Sequence, residues 1–388
     1  MTPRRARSLG DQFVAINVGQ GDAFFLQRQN RRILVDGGRS VEGFANHFVR
    51  TTNCSEVDVL VCTHNDADHA NGVIGYLRDN LGVREVWLPG NWTPALEQIL
   101  SDPFGYPDTL LREIREESAD LGVDGEGDLL EQLGPLPPPE NDLAPADEGA
   151  AERILAALER AQDETWNSPL APWAVVWEAA ALRSRRLRVF VEALSAARRI
   201  RDIALLAFRR GATLRWFEFG LQAPGGGDEL LLFPLNAREL ILRRRPMWLL
   251  LALRLSVANQ RSLVFYSPPS SGGAVLFSAD SDLVTTRCPP IEDLLVTAPH
   301  HGSETNRNAY ATLTPLAEQG TRLTLVRSDG RYRKRPGASY LGLPATRFCT
   351  ICWTSANRSS CFPRQAVRVS GSGGSWHSAA GTASCRCA

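Results

Sequence analysis

The sequence predicts an α/β fold in which one strand-rich domain is interrupted by a helical insertion and followed by a cysteine-rich tail. Three observations carry this reading. Short apolar runs alternate with turn residues over the first ninety positions, helical spacing takes over between about 150 and 210, and strand-like runs resume near residue 214. The 388 residues exceed one average domain, and 43% hydrophobic against 22% charged residues supplies a sizeable core, which excludes wholesale disorder and a mini-protein scaffold.

Taken in order, Phe13 to Val18, Ala23 to Gln27 and Arg32 to Val35 read as short strands, separated by Gly19-Gln20-Gly21-Asp22 and Gln29-Asn30 and closed by Asp36-Gly37-Gly38. Val57 to Cys62 is a mostly apolar run of the kind buried on both faces of a sheet. A helix over Ala70 to Asn80 and a strand at Glu85 to Leu88 complete the first part of the domain, 11–94. Within the insertion, 95–210, an acidic stretch from Asp120 to Glu164 holds the proline run Pro135 to Pro139, and Glu152 to Gln162 and Trp173 to Arg210 have helical spacing. Strands are expected again at Leu214 to Phe219, Leu230 to Leu232, Leu249 to Val257, Ser262 to Tyr266, Ala274 to Ser278 and Leu294 to Thr297, in a second part spanning 211–340. The tail is 341–388.

The formal net charge is zero, with 43 basic and 43 acidic residues, so the total does not suggest a globally basic nucleic-acid binder. The total conceals opposed segments. Arginines crowd between Arg183 and Arg210, and Arg198, Arg199 and Arg201 there are candidate contacts to a phosphate backbone. A solvated helical face, or pairing with the acidic stretch, explains the same cluster. The N-terminal Arg4, Arg5 and Arg7 are not followed by an apolar run, and the longest apolar run, Met247 to Leu253, is far too short to span a bilayer. The expectation is a soluble, cytoplasmic protein without a membrane partner.

The chemistry concentrates in two loops. Directly after the buried strand stands Thr63-His64-Asn65-Asp66-Ala67-Asp68-His69, with four metal-binding side chains at the junction of a strand and a helix. Carboxylate with imidazole suits zinc, manganese or ferrous iron, and a sharp loop holding both suits two cations side by side. Asp280 ends a later strand, and His300-His301-Gly302-Ser303 follows another. Four of the six histidines fall in these two loops. In the tail, Cys349, Cys352, Cys361 and Cys385 contain the ligands for a tetrahedral structural zinc, with incidental cysteines in a frayed end as the alternative.

These motifs resemble the metallo-β-lactamase superfamily, and most closely the metallo-hydrolase domain of the DNA-uptake competence protein ComEC. The resemblance rests on Val18 to Asp22 (Val-Gly-Gln-Gly-Asp), Asp36-Gly37-Gly38, the His-x-Asp-x-Asp-His loop from His64 to His69, Asn259 to Val264, Ala279-Asp280 and His300 to Ser303. Asn17 and Ala279 depart from the usual Asp and Gly, and neither departure removes a ligand. The resemblance implies an αββα sandwich with two divalent transition metals, zinc or manganese, at one sheet edge. His64 and Asp66 would bind one and Asp68 and His69 the other, with Asp280 bridging. The pair His300 and His301 would supply a ligand and a proton donor or substrate contact, in an order the sequence leaves open; His301 is taken as the ligand. Asp68 would orient a metal-bridging hydroxide, and Asp36 would steer the loop from behind. Ser303 and Asn306 are weaker substrate-contact candidates.

The function expected is a di-metal hydrolase, with oxygen-rich ligation favouring a phosphodiester, as in a nuclease, and hence a phosphate-containing substrate or nucleic acid. Two alternatives stand beside it. One is hydrolysis of a small ester, lactone or thioester. The other is a subunit of a multi-protein system, such as a defence system, that docks a protein partner through the insertion.

Overall fold

The computed structural model describes residues 10–89, 199, 202–204, 206–220, 224–240, 262–284, 286–328, 335–351, 365–379, 382 and 385. Most of the expected insertion and the strand expected at Leu249 to Val257 lie outside them. The first sheet begins with β1 (Gln12–Ala15), β2 (Phe24–Arg28) and β3 (Arg31–Val35), and helix α1 (Phe44–Thr52) leads into β4 (Glu56–Val61). Helix α2 (Ala67–Arg78), β5 (Gly82–Pro89) and β6 (Thr213–Phe219) follow, then the short β7 (Phe233–Pro234) and β8 (Ala237–Leu240). The second sheet is carried by β9 (Phe265–Ser267), β10 (Ala274–Phe277), β11 (Asp293–Thr297), β12 (Arg322–Arg327) and β13 (Thr346–Cys349), with α3 (Arg307–Glu318) and α4 (Ala338–Gly342) between them. The chain closes the first sheet with β14 (Val367–Ser372) and β15 (Ser375–Ser378).

Nine strands run in the order β15-β14-β1-β2-β3-β4-β5-β6-β8 and six in the order β13-β12-β11-β10-β9-β7. Strand alternation explains how the two sheets face each other. In β10, Val275 and Phe277 join Phe13, Phe24, Val35, Val61 and Trp87 of the first sheet in one core, whereas Ala274 and Leu276 point to the opposite face. There they meet Tyr310 and Leu313 of α3 and Tyr340 of α4. On the outer face of the first sheet, Phe25 of β2 packs edge-on against Phe48 of α1, which in turn meets Tyr76 of α2. The result is helix, sheet, sheet, helix, and each fully buried Phe or Leu side chain contributes roughly 1.5–3 kcal/mol. A buried ion pair ties the sheets together: Arg28 Nε donates to Asp11 at 2.9 Å while its Nη1 donates to Ser267 Oγ at 2.9 Å.

Two expectations change. Leu230 to Leu232 forms a turn rather than a strand, because Asp228 O accepts from the amides of Leu231 (3.0 Å) and Leu232 (2.7 Å). The segment assigned to a tail supplies three strands, β13 to the second sheet and β14 and β15 to the first. Its physical basis is the alternation in Val367-Arg368-Val369, whose valines are buried and whose arginine is half-buried. Among the described residues no helix is long and apolar enough to cross a membrane.

Candidate metal centre

Strands β3, β4, β5 and β6 run parallel, as do β10, β11, β12 and β13. In parallel sheets the loops past the carboxyl ends of the strands gather at one edge. Asp36 follows β3, the 63–69 loop follows β4, Asp280 follows β10 and the histidine pair follows β11, so all of them share that edge.

The 63–69 loop is held from three sides. Asp66 occupies the N-cap position of α2 in extended backbone (φ −67°, ψ 148°), which puts Asp68 in the first turn, where a carboxylate suits the positive end of the helix. Asp36 accepts from Thr63 N (2.8 Å) and Thr63 Oγ1 (2.7 Å) and contacts His69 Nδ1 (2.9 Å). The Val-Gly-Gln-Gly-Asp turn lies directly on the loop, for Asp22 N donates to Asp68 O at 3.2 Å. Gly21 must be glycine there: its φ is +93° and a Cβ would sit 1.7 Å from Asp68 O.

The second loop has a different backbone. His300 (φ 45°), His301 (φ 53°) and Gly302 (φ 87°) are consecutive left-handed residues, and Ala279 beside Asp280 also has φ 46°. Such residues cost of order 1–3 kcal/mol each unless the surroundings over-determine them. Here they do: His300 N donates to Ala279 O (2.9 Å), Tyr310 Oη donates to Pro299 O (2.8 Å), and Asn306 Nδ2 donates to Asp280 O (2.8 Å).

All four imidazoles are oriented through Nδ1 so that Nε2 points inward. The Nδ1 partners are Thr63 for His64 (3.0 Å), Asp36 for His69 (2.9 Å), Asn306 for His300 (2.6 Å) and Asp22 for His301 (3.0 Å). Asp280 stands between them. Its Oδ2 lies 3.8 Å from His64 Nε2 and 3.8 Å from His300 Nε2, and its Oδ1 lies 3.3 Å from His69 Nε2 and 3.7 Å from His301 Nε2. Two ligand groups result, Asp22-His69-Asp280-His301 and His64-Asp66-Asp280, which share Asp280. Asp68 Oδ2 adds to the first at 3.5 Å from His301 Nε2.

The donor set fits divalent cations. His64 Nε2, His69 Nε2, His301 Nε2, Asp280 Oδ1 and Asp22 Oδ2 are all buried without a hydrogen-bond partner in the protein. Five such atoms at one point would each cost about 1–3 kcal/mol if nothing satisfied them. Charge coupling agrees. Burial alone would raise the Asp280 carboxyl, but His300, His69 and His301 hold it well below the usual carboxylate range. Burial works against charge on His301, yet Asp22 and Asp280 outweigh it and lift its pKa to about 10. His69 is raised in the same way by Asp280 and Asp36.

The structure thus brings His64, Asp66, Asp68, His69, Asp280, His300 and His301 together, with Asp36 behind them. Ser303 caps the turn that carries Asn306 by accepting from Thr305 N (3.3 Å), and Asn306 orients His300 instead of facing outward. Arg199 Nε donates to Asn65 O at 2.7 Å, which sets this guanidinium against the 63–69 loop. Arg198, Arg201, Cys352 and Cys361 lie outside the described residues. Two contributors escape a reading of local motifs. Asp22 was visible only as part of a turn. Arg335, whose buried Nη2 donates to His300 Nε2 at 2.8 Å, gave no sequence signal.

Comparison with known proteins bears on the first half of this centre. The family model for the metallo-beta-lactamase superfamily matches residues 16–141, which include Asp22, Asp36 and the 63–69 loop. That segment carries a metallo-beta-lactamase superfamily domain, and the class it implies is metal-dependent hydrolysis. Among curated proteins none matches the chain.

Proposed function

We propose that the protein is a two-cation hydrolase acting on a phosphodiester, in a nucleic acid or a nucleotide, as the ComEC-like motifs suggest. The observation that carries this reading is the convergence of four unsatisfied buried ligand atoms, from Asp22, His64, His69 and His301, on Asp280, whose own Oδ1 is likewise unsatisfied. His64, Asp66 and Asp280 would hold one cation, and Asp68, His69, Asp280 and His301 the other. Paired divalent cations, when bound, supply an activated water and a clamp for the oxygen being displaced.

The chain's own residues supply position and charge. Asp66 and Asp68 are each about one-fifth exposed (22%), whereas His69, Asp280 and His301 are sealed beneath them, so substrate enters from the side of these two carboxylates. Asp68, turned toward that mouth, would orient the attacking water. Arg335 lies beside His300, its guanidinium donating to the imidazole Nε2 at 2.8 Å. His300 lies between Asn306, at its Nδ1, and Arg335, at its Nε2, and its role is to position that guanidinium.

The test is a panel of single-stranded DNA, duplex DNA, RNA, bis-p-nitrophenyl phosphate and a lactone, each with manganese and with zinc. Turnover of the phosphodiesters that disappears in Asp280→Asn supports the proposal. Turnover of the lactone alone would replace it with small-ester hydrolysis. A protein inert on the whole panel, but binding a protein partner undiminished in Asp280→Asn, would mark a docking subunit instead.

A further inference from the structure

We infer, on the phosphodiester reading proposed above, that a cavity beside the metal centre binds a second phosphate of a nucleic-acid strand, with Arg39 as its cationic contact. The cavity has a volume of about 630 Å³, within the roughly 300–1,000 Å³ range of ligand clefts, and Asn17, Gln20, Arg39, Ser40 and His47 are among its walls. One wall is the Val-Gly-Gln-Gly-Asp turn itself. The same turn continues into Gly21, packed on Asp68 O, and into Asp22, which belongs to the ligand group of His69, Asp280 and His301. Gln20 and Asp22 are two positions apart, so their Cα atoms are separated by at most about 7 Å. A strand held at the cations therefore reaches the cavity within a few nucleotides.

The lining favours an anion. None of the described lining residues is acidic, and two of them, Arg39 and His47, are basic. Among the described residues the exposed Arg39 guanidinium bonds only the neutral amide of Gln20, Nη1 donating to Oε1 at 3.0 Å. That bond engages one of its five N–H donors, and the planar fork matches a phosphate in geometry as well as in charge. The backbone beneath it is fixed from two sides: Arg39 N donates to Gln20 O at 3.2 Å, and Asn71 Nδ2 donates to Arg39 O at 2.9 Å. Asn71 belongs to α2, the helix that carries Asp68 in its first turn, so the guanidinium and a cation ligand are set by one helix. On α1, His47 Nε2 donates to Asn17 O at 2.9 Å, which ties the turn to that helix as well. A contact held this firmly loses little entropy when a phosphate arrives.

Fluorescence anisotropy of the cation-loaded full chain tests this assignment, with a short labelled single strand whose phosphorothioate backbone resists cleavage. Arg39→Gln should weaken binding about fivefold or more. It should also flatten the slope of log affinity against log salt by about 0.7, the share of one phosphate contact on a single strand. Arg39→Lys should restore that slope, because it returns the charge. Unlabelled thymidine 5′-monophosphate should compete far more weakly than the unlabelled strand. No binding of the strand, an affinity and salt slope unchanged in Arg39→Gln, or equal competition by the mononucleotide would each overturn the assignment. Arg39-dependent binding by a protein that cleaves no phosphodiester would keep the subsite and discard the hydrolase. Cleavage of the natural strand with binding indifferent to Arg39 would discard the subsite and keep the hydrolase.

Discussion

The loop at 63–69 and the loop at 298–303 both deliver imidazoles to Asp280, the first in ordinary backbone and the second in strained backbone. No residue from 63 to 69 has a positive φ, and the loop runs straight into α2 with Asp66 as its cap. The second loop sets His300, His301 and Gly302 in consecutive left-handed conformations. Local chain preference therefore builds one half of the site, and tertiary contacts force the other. Each half can be broken separately, and the two should fail differently.

The largest effect should come from the residue they share. Asp280→Asn should abolish cation loading at the His/Asp centre and remove several kcal/mol of charge stabilisation, lowering turnover about a thousandfold or more. Retention of two cations in that variant, by elemental analysis, would show that Asp280 does not bridge the halves. The supporting carboxylates come next. Asp36→Ala removes the partner of His69 and Thr63, and Asp22→Ala removes that of His301, so each should weaken cation affinity by about 10–100-fold. Asp36→Ala should also destabilise the 63–69 loop, because it strands the buried Thr63 amide. Equal loss of thermal stability in the two variants would contradict the asymmetry.

A titration probes the coupling without mutation. In metal-stripped protein His301 has a folded pKa of about 10, above its unfolded value of about 6.5. Its contribution to stability is full below pH 6.5 and is lost as pH rises through 10, so the melting temperature should fall across that window. Cation binding requires deprotonated imidazoles, so loaded protein should gain affinity as pH rises over the same range. Parallel pH trends in the two forms would argue against imidazole ligation. The smallest effects concern strain. Ala279→Gly should stabilise by about 1 kcal/mol by relieving a positive φ, and Gly302→Ala should destabilise by about 1–2 kcal/mol. In the latter case the new Cβ would also press within 3.1 Å of Arg327 Cδ.

This asymmetry explains what the sequence makes legible. Thr63 to His69 announces itself because its ligands are contiguous and flanked by an apolar strand and a helix, and the strands β2, β3, β4 and β10 follow from apolar runs bounded by turn residues. Helix α3 is harder to read: its apolar face, Ala309, Tyr310 and Leu313, is narrow and Pro315 interrupts it. The strands β14 and β15 hide in a segment of serines and glycines, where only Val367, Val369 and Trp376 mark the buried face. Asp22 and Arg335 reach the site only through folding, one contacting His301 across 279 positions and the other set on His300 from a later loop. The choice between His300 and His301 likewise depends on which Nε2 the backbone turns toward Asp280 Oδ1.

The pairing of β5 with β6 has a consequence for how such a fold diversifies. These strands are parallel neighbours, with Pro89 opposite Phe217, so everything encoded between them departs from the carboxyl edge of the sheet and re-enters at the opposite end. That exit lies on the same rim as His64 and Asp280. Lengthening a connection raises its closure entropy only logarithmically, by about 0.6 kcal/mol per doubling. A lineage can therefore splice, exchange or enlarge more than a hundred residues at this junction without disturbing strand register. Chemistry and selectivity can then evolve on separate clocks.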